Sequence, residues 1–158
     1  VVLLIVLTFV WPPDSPWSPW WRTNTKIAKR ACRLANISKN DIVYELGSGD
    51  GEFTLIAAKQ FKAKRTIGIE IDHSRFLFSQ FKKLLSHVDN AEFKRDDFKR
   101  VKLSDATVVY FYLVPNVIKR IMPKLKKELK PGTRIVSYKY RLPQKELRKK
   151  GELFLYEI

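Results

Sequence analysis

The 158-residue chain contains a single cysteine, Cys32, and only two histidines, His73 and His87. One cysteine cannot form an internal disulfide, and so few thiols and imidazoles exclude a plausible zinc site, so no metal is expected. A reducing compartment fits. One domain is expected at this length, large enough to bury a core without covalent staples. Acidic residues are scarce: 16 Asp and Glu stand against 31 Lys and Arg, a formal charge of +15. That excess points to an anionic partner, either nucleic acid or a lipid surface. No internal repeat is visible. Glycine is sparse as well, six in all, yet Gly47, Gly49 and Gly51 fall in one short run.

That run, Glu45-Leu46-Gly47-Ser48-Gly49-Asp50-Gly51, follows an apolar-rich stretch and precedes residues with helical periodicity. It reads as strand, glycine turn and helix start, the arrangement of a nucleotide-cofactor loop, because glycine turns sharply and brings no Cβ toward a ligand. The plain alternative is a turn that only joins strand to helix. A dinucleotide fingerprint would be G-x-G-x-x-G with pyrophosphate on the helix N-terminus. Here the spacing is G-x-G-x-G, and Glu45 and Asp50 flank it. Carboxylates repel phosphate and suit a cation. S-adenosylmethionine, a sulfonium with an amino-acid end, meets that description, and the loop resembles the first motif of the class I methyltransferases.

Two further strand candidates end in acids. Thr66 to Ile71 carries Glu70, nineteen positions after Gly51, where a carboxylate accepts from a ribose diol. Asp72 is read as a cap for the next helix. Ala91 to Lys94 runs into Asp96-Asp97-Phe98. The resemblance to the class I methyltransferases, which commonly place here an acid that accepts from the adenine amino group, implies Asp97 for that role and Phe98 against the ring.

Residues 1–21 hold one ionisable side chain, Asp14, and every Lys and Arg comes from Arg22 onward. Residues 1–11 are almost wholly apolar and read as the end of a membrane-anchoring segment, since eleven residues alone make a helix of only about 16 Å against a bilayer core of about 30 Å. A buried N-terminal strand or helix is the structural alternative. Positive charge after the span then places the catalytic part on the cytoplasmic side. Residues 12–24, rich in Pro and Trp, form a linker or a cover for the site, with Trp20 and Trp21 as candidate substrate-binding walls. Residues 25–158 form the catalytic domain.

Within it, helices and strands alternate, predicting a Rossmann-like, doubly wound α/β fold with a mainly parallel sheet. A last pair around Gly151 predicts an antiparallel C-terminal strand. Pro123 is expected to split the helix spanning 116–129. The fourth strand, 107–112, carries Tyr110, Phe111 and Tyr112; alternation makes Tyr110 and Phe111 core candidates, while Tyr112, a core residue in the plain alternative, stands at the strand end where the methyltransferases that the loop resembles orient the acceptor. No residue stands out as a general base.

ELGSGDG at 45–51, GIEID at 68–72, Asp97-Phe98, Tyr112-Leu113-Val114-Pro115-Asn116 and the stretch from Pro123 to Ser137 resemble the small membrane-associated protein-lysine methyltransferases. Mitochondrial members of that group modify the ADP/ATP translocase and the c-ring protein of ATP synthase. The resemblance covers residues 12–158 and implies S-adenosyl-L-methionine as cofactor, a protein substrate such as a membrane protein, and the mitochondrial inner membrane in a eukaryote. It also implies a cofactor site of Glu45, Gly47, Ser48, Gly49, Asp50, Gly51, Glu70, Asp97 and Phe98, catalytic roles for Tyr112 and Asn116, and Pro115 in the acceptor loop. A lysine of pKa about 10.4 is neutral in only about one molecule in a thousand near pH 7.4, a cost of roughly 4 kcal/mol unless apolar burial lowers the pKa. An aromatic channel would do this. The Trp-rich segment and the heavy basicity depart from the group's pattern. RNA methylation on the basic surface of residues 119–130 and 145–150 is the second reading; a non-catalytic cofactor-binding scaffold is the third.

Overall fold

The computed structural model of the chain describes residues 22–158, so the expectations for Val1 to Trp11, Trp20 and Trp21 lie outside the described residues. The elements run α1 (Thr25–Leu34), β1 (Ile42–Leu46), α2 (Glu52–Lys59), β2 (Arg65–Glu70), α3 (His73–Ser86), β3 (Ala91–Arg95), β4 (Val108–Phe111), α4 (Pro115–Glu128), β5 (Arg134–Tyr138), β6 (Arg148–Lys150) and β7 (Leu153–Glu157). The strands form one seven-stranded sheet in the order β3-β2-β1-β4-β5-β7-β6. The pairings among β1 to β5 are parallel, and β7 enters antiparallel to β5 and pairs with β6. This is the α/β architecture expected from the alternating pattern, including the antiparallel C-terminal strand. The order reverses between β1 and β4, and in such sheets ligands bind at the carboxyl ends of the strands flanking that point.

Strand alternation sorts side chains onto two faces. On one, Val43, Tyr110, Val136 and Leu155 pack with Ala28, Ala31 and Cys32 of α1 and with Phe53, Ile56 and Ala57 of α2. On the other, Tyr44, Leu46, Val109, Phe111 and Ile135 pack with Val117, Ile118, Ile121 and Leu125 of α4. Thr25, Ala28, Ala31 and Leu34 recur at helical spacing, and Asn24 caps α1 by accepting from the Ile27 amide at 2.9 Å. The Asp72 carboxylate caps α3 in the same way, accepting from the Arg75 amide at 2.9 Å.

Two expectations are corrected. Pro123 lies inside α4 without splitting it. The proline ring removes one backbone donor, but Pro123 is exposed, and the buried stripe Val117, Ile118, Ile121, Met122 and Leu125 holds the helix to the sheet on both sides of it. The membrane-anchored location is the second: among the described residues no helix is long and apolar enough to cross a membrane.

Phe93 of β3 fixes how closely the sheet approaches the loop after β1. A Cβ at Gly68 would stand 2.6 Å from the Phe93 ring and 2.9 Å from the Ser48 Cβ. At Gly51, where φ is +76°, it would stand 2.3 Å from that ring. Overpacking of this kind costs roughly 1–3 kcal/mol. Gly68→Ala is therefore expected to lower the urea midpoint by that amount of stability without changing the slope, and pairing it with Phe93→Leu should recover part of the loss.

Candidate active site

The loop leaving β1 turns through three left-handed glycines, Gly47 (φ +75°), Gly49 (φ +54°) and Gly51 (φ +76°). The amides of Gly47 and Ser48 both donate to the Ile69 carbonyl of β2, each at 2.9 Å, so the loop folds back over the neighbouring strand. There it meets Glu70. One Glu70 oxygen accepts from the Gly49 amide at 2.7 Å and the other from the Asp72 amide at 2.9 Å. A carboxylate offers about four lone-pair positions, so each oxygen keeps acceptor capacity beyond its backbone bond.

Glu45 precedes the loop and, by strand alternation, faces α2. Its Oε2 accepts from the Thr54 hydroxyl at 2.6 Å and the Thr54 amide at 3.0 Å, satisfying an amide in the first turn of that helix. Burial pushes the Glu45 carboxyl from its ordinary 4.5 up to about 8; the Thr54 bonds oppose the rise, and the nearby Asp50 and Glu70 charges add to it. Burial also raises Glu70, against its two backbone bonds. Asp50 is buried and ion-paired with Arg22 at 2.8 Å and Lys82 at 3.3 Å. Arg22 thereby brings the chain entering α1 to the rim of the loop.

Asp97 follows β3, with Oδ1 accepting from the Lys99 amide at 2.9 Å, and Phe98 is half-buried against the core. The Asp96 amide donates to the Glu70 carbonyl at 3.1 Å, which sets the Asp97 turn beside Glu70. Glu45, Ser48, Glu70 and Asp97 thus come to the same carboxyl edge of β1, β2 and β3. Gly51 belongs to the loop, but its bare Cα is closed over by Phe93.

The other half of the edge belongs to β4 and β5. Tyr110 is fully buried, stacked on Phe53 with centroids 3.9 Å apart and hydrogen-bonded to the Thr23 hydroxyl at 3.0 Å. Phe111 is also fully buried. Both are core residues, as alternation indicated. Tyr112 is half-buried and emerges at the rim, its ring 4.6 Å from that of Tyr138 and 6.3 Å from that of Tyr140. Pro115 and Asn116 open α4 just beyond it, both exposed. Sequence reasoning singled out neither Tyr138 nor Tyr140; the one signal was an alternate pair of tyrosines leaving a strand.

The model of the ANTKMT methyltransferase domain matches residues 45–149, from the acid before the loop to the C-terminal hairpin. The chain belongs to that methyltransferase family. A protein-lysine N-methyltransferase from Saccharolobus islandicus is 38% identical over 133 residues, 80% of each chain. The Xenopus laevis lysine N-methyltransferase named for the c-ring protein of ATP synthase is 28% identical over 130 residues, spanning 81% of this chain and 54% of that protein. Among solved structures, an RNA methyltransferase from Salinibacter ruber in complex with S-adenosyl-L-homocysteine superposes with a TM-score of 0.81 at 32% identity, over 87% of this chain and 94% of that one.

The methyltransferase is S-adenosylmethionine-dependent, and its own residues fit that cofactor. The Ser48 hydroxyl is buried and has no hydrogen-bond partner among the described residues, an atom that a polar ligand group would satisfy. Burial raises the affinity of Glu45 for a proton and the Asp50 and Glu70 charges add to it, and a bound cation relieves that repulsion.

The Glu45 shift fixes a sign for stability against pH. Without ligand, the folded enzyme keeps a proton on Glu45 between 4.5 and about 8 that the unfolded chain releases. Stability therefore falls as pH rises through that window. At about 1.4 kcal/mol per pKa unit the drop reaches a few kcal/mol. Urea unfolding across the window should show this decline in the wild type and a shallower one in Glu45→Gln, with Glu70 supplying what remains.

Proposed function

We propose that this methyltransferase transfers a methyl group to a protein lysine. The observation that carries this reading is the placement of Tyr112 at the carboxyl edge of β4, half-buried among aromatic rings. The 38% identity to a protein-lysine N-methyltransferase over 80% of both chains supports it. S-adenosylmethionine supplies an electrophilic methyl on a sulfonium. The acceptor nitrogen's lone pair forms the new N–C bond as the C–S bond breaks, the bonding pair stays on sulfur, and the methylated ammonium gives its extra proton to water. Little covalent chemistry is left to the protein, whose work is alignment and exclusion of water.

In this reading Glu70 accepts from the ribose hydroxyls through the lone pairs its backbone bonds leave, and Asp97 and Phe98 border the adenine. Ser48 and the backbone of Gly47 and Gly49 line the donor's amino-acid end, with the Glu45 and Asp50 carboxyls beneath, Glu45 protonated at neutral pH until a cation binds. Tyr112 orients the acceptor, with Pro115 and the Asn116 carbonyl beside it. The Arg22 contact with Asp50 brings the chain ahead of α1 to the rim of the loop. Burial raises the Tyr112 hydroxyl, so it stays protonated at neutral pH and acts as a hydrogen-bonding and packing surface rather than as a base.

RNA is the second reading, supported by the charge of +15 and by the Salinibacter ruber RNA methyltransferase at a TM-score of 0.81. Incubating the enzyme with methyl-labelled cofactor and separate protein and RNA fractions decides between them. Label is expected on methyl-lysine after acid hydrolysis, reduced at least tenfold in Tyr112→Ala while cofactor affinity is unchanged. Label confined to nucleosides would overturn the lysine reading.

A further inference from the structure

We propose that Tyr138 and Tyr140, converging on Tyr112 from the two faces of the sheet, form an aromatic pocket that receives the acceptor amine and keeps hold of it once methylated. This rests on the lysine reading above and names the residues that would carry its specificity.

The pocket is built by strand register and one turn. Phe111 pairs with Ser137 in the β4–β5 ladder, so one step further Tyr112 and Tyr138 are neighbours on the same face, their rings 4.6 Å apart and inclined at 60°. Tyr138 packs with the cluster that covers α1 and α2. Were the strand to continue, Tyr140 would point the same way. It packs instead with the opposite cluster, the one beneath α4. The reversal is made at Lys139, whose φ is +69°, while the Tyr140 amide donates to the Tyr138 carbonyl at 2.9 Å across a three-residue turn. A lysine with positive φ is disfavoured, and backbone strain of this kind gathers at functional sites because the surrounding structure must hold it. Here the Lys139 amide donates to the Glu152 carbonyl at 2.7 Å and the Ser137 hydroxyl to the Tyr140 carbonyl at 2.5 Å, fixing the turn from both sides.

The result is a set of three half-buried rings at one end of the sheet, beside the topological switch point and across from Glu70 and the glycine loop. Ring faces attract ammonium and methylammonium groups, and partial desolvation among them lowers an amine's pKa toward the neutral form that reacts. Lys139 already hydrogen-bonds the Tyr112 hydroxyl with its own side chain. The Lys139 ammonium is exposed at the rim, where Tyr112 raises its affinity for a proton. A pocket that binds the methylated product as well as the amine would let one lysine receive more than one methyl group before release.

The test is an NMR titration of the full chain, loaded with S-adenosylhomocysteine, with Nε-methyl-lysine as probe. Saturable shifts of the ring protons of Tyr112, Tyr138 and Tyr140 are expected. Affinity should fall at least tenfold in Tyr138→Leu and in Tyr140→Leu, and stay within about threefold of wild type in the corresponding Phe variants. All four variants should bind S-adenosylhomocysteine as the wild type does, which separates loss of the pocket from loss of folding. Absence of ring shifts, or Leu variants that bind the probe as the wild type does, would overturn the proposal. Binding of the probe by an enzyme that labels only RNA would contradict the lysine reading while leaving the amine pocket standing, so the two failures are distinguishable.

Discussion

The carboxylate of Glu70 holds together the half of the site proposed for the methyl donor. It sits at the last position of β2 and ties two backbone amides to one side chain, Gly49 in the loop after β1 and Asp72 at the cap of α3. Without it, neither the loop's left-handed turns nor the direction in which α3 leaves the sheet would be fixed at this point. The bonds come from amides, so both oxygens keep lone pairs, while the Arg75 charge nearby opposes the rise that burial gives the Glu70 carboxyl. Glu45 lies buried nearby and Asp50 beneath the same loop, and the charges of Asp50 and Glu70 make ionising Glu45 costlier. Arg22 and Lys82 pair with Asp50, and Arg75 opposes the charge of Glu70.

Topology supplies the other half. The sheet reverses order between β1 and β4, so the acids ending β1, β2 and β3 stand on one side of the switch point and the tyrosines ending β4 and β5 on the other. The residues proposed for donor and acceptor thus stand on separate sets of strands packed into one core. Phe111 and Ser137, paired in the ladder, hold the tyrosine side in register. Phe93, filling the space that Gly51 and Gly68 leave, holds the acidic side close. Catalysis by alignment depends on that shared rigidity.

Much of this was legible in the sequence where chemistry and spacing coincide. The glycine run after an apolar strand announced the loop, and the distance from Gly51 to Glu70 placed the ribose candidate, because a strand–loop–helix–strand unit has a nearly fixed length. Asp72 was legible as a cap for the same reason. What escaped was anything that depends on meeting across the sheet. Gly51 reads as ligand space in the sequence, but only the structure shows the Phe93 ring filling it. Tyr138 and Tyr140 are ordinary strand residues until the φ of Lys139 sends them to opposite faces. Pro123 was overweighted, since tertiary packing of the Val117 to Leu125 stripe outlasts one missing hydrogen bond. The membrane location rested on residues 1–11, and no membrane-crossing helix is found among the described residues.

A crystal structure of the enzyme bound to S-adenosylhomocysteine tests the division into donor and acceptor halves most directly. The ribose hydroxyls are expected on the Glu70 oxygens, the adenine edge beside Asp97 and the thioether sulfur facing Tyr112. A ribose held elsewhere, or a sulfur turned away from the ends of β4 and β5, would contradict that division.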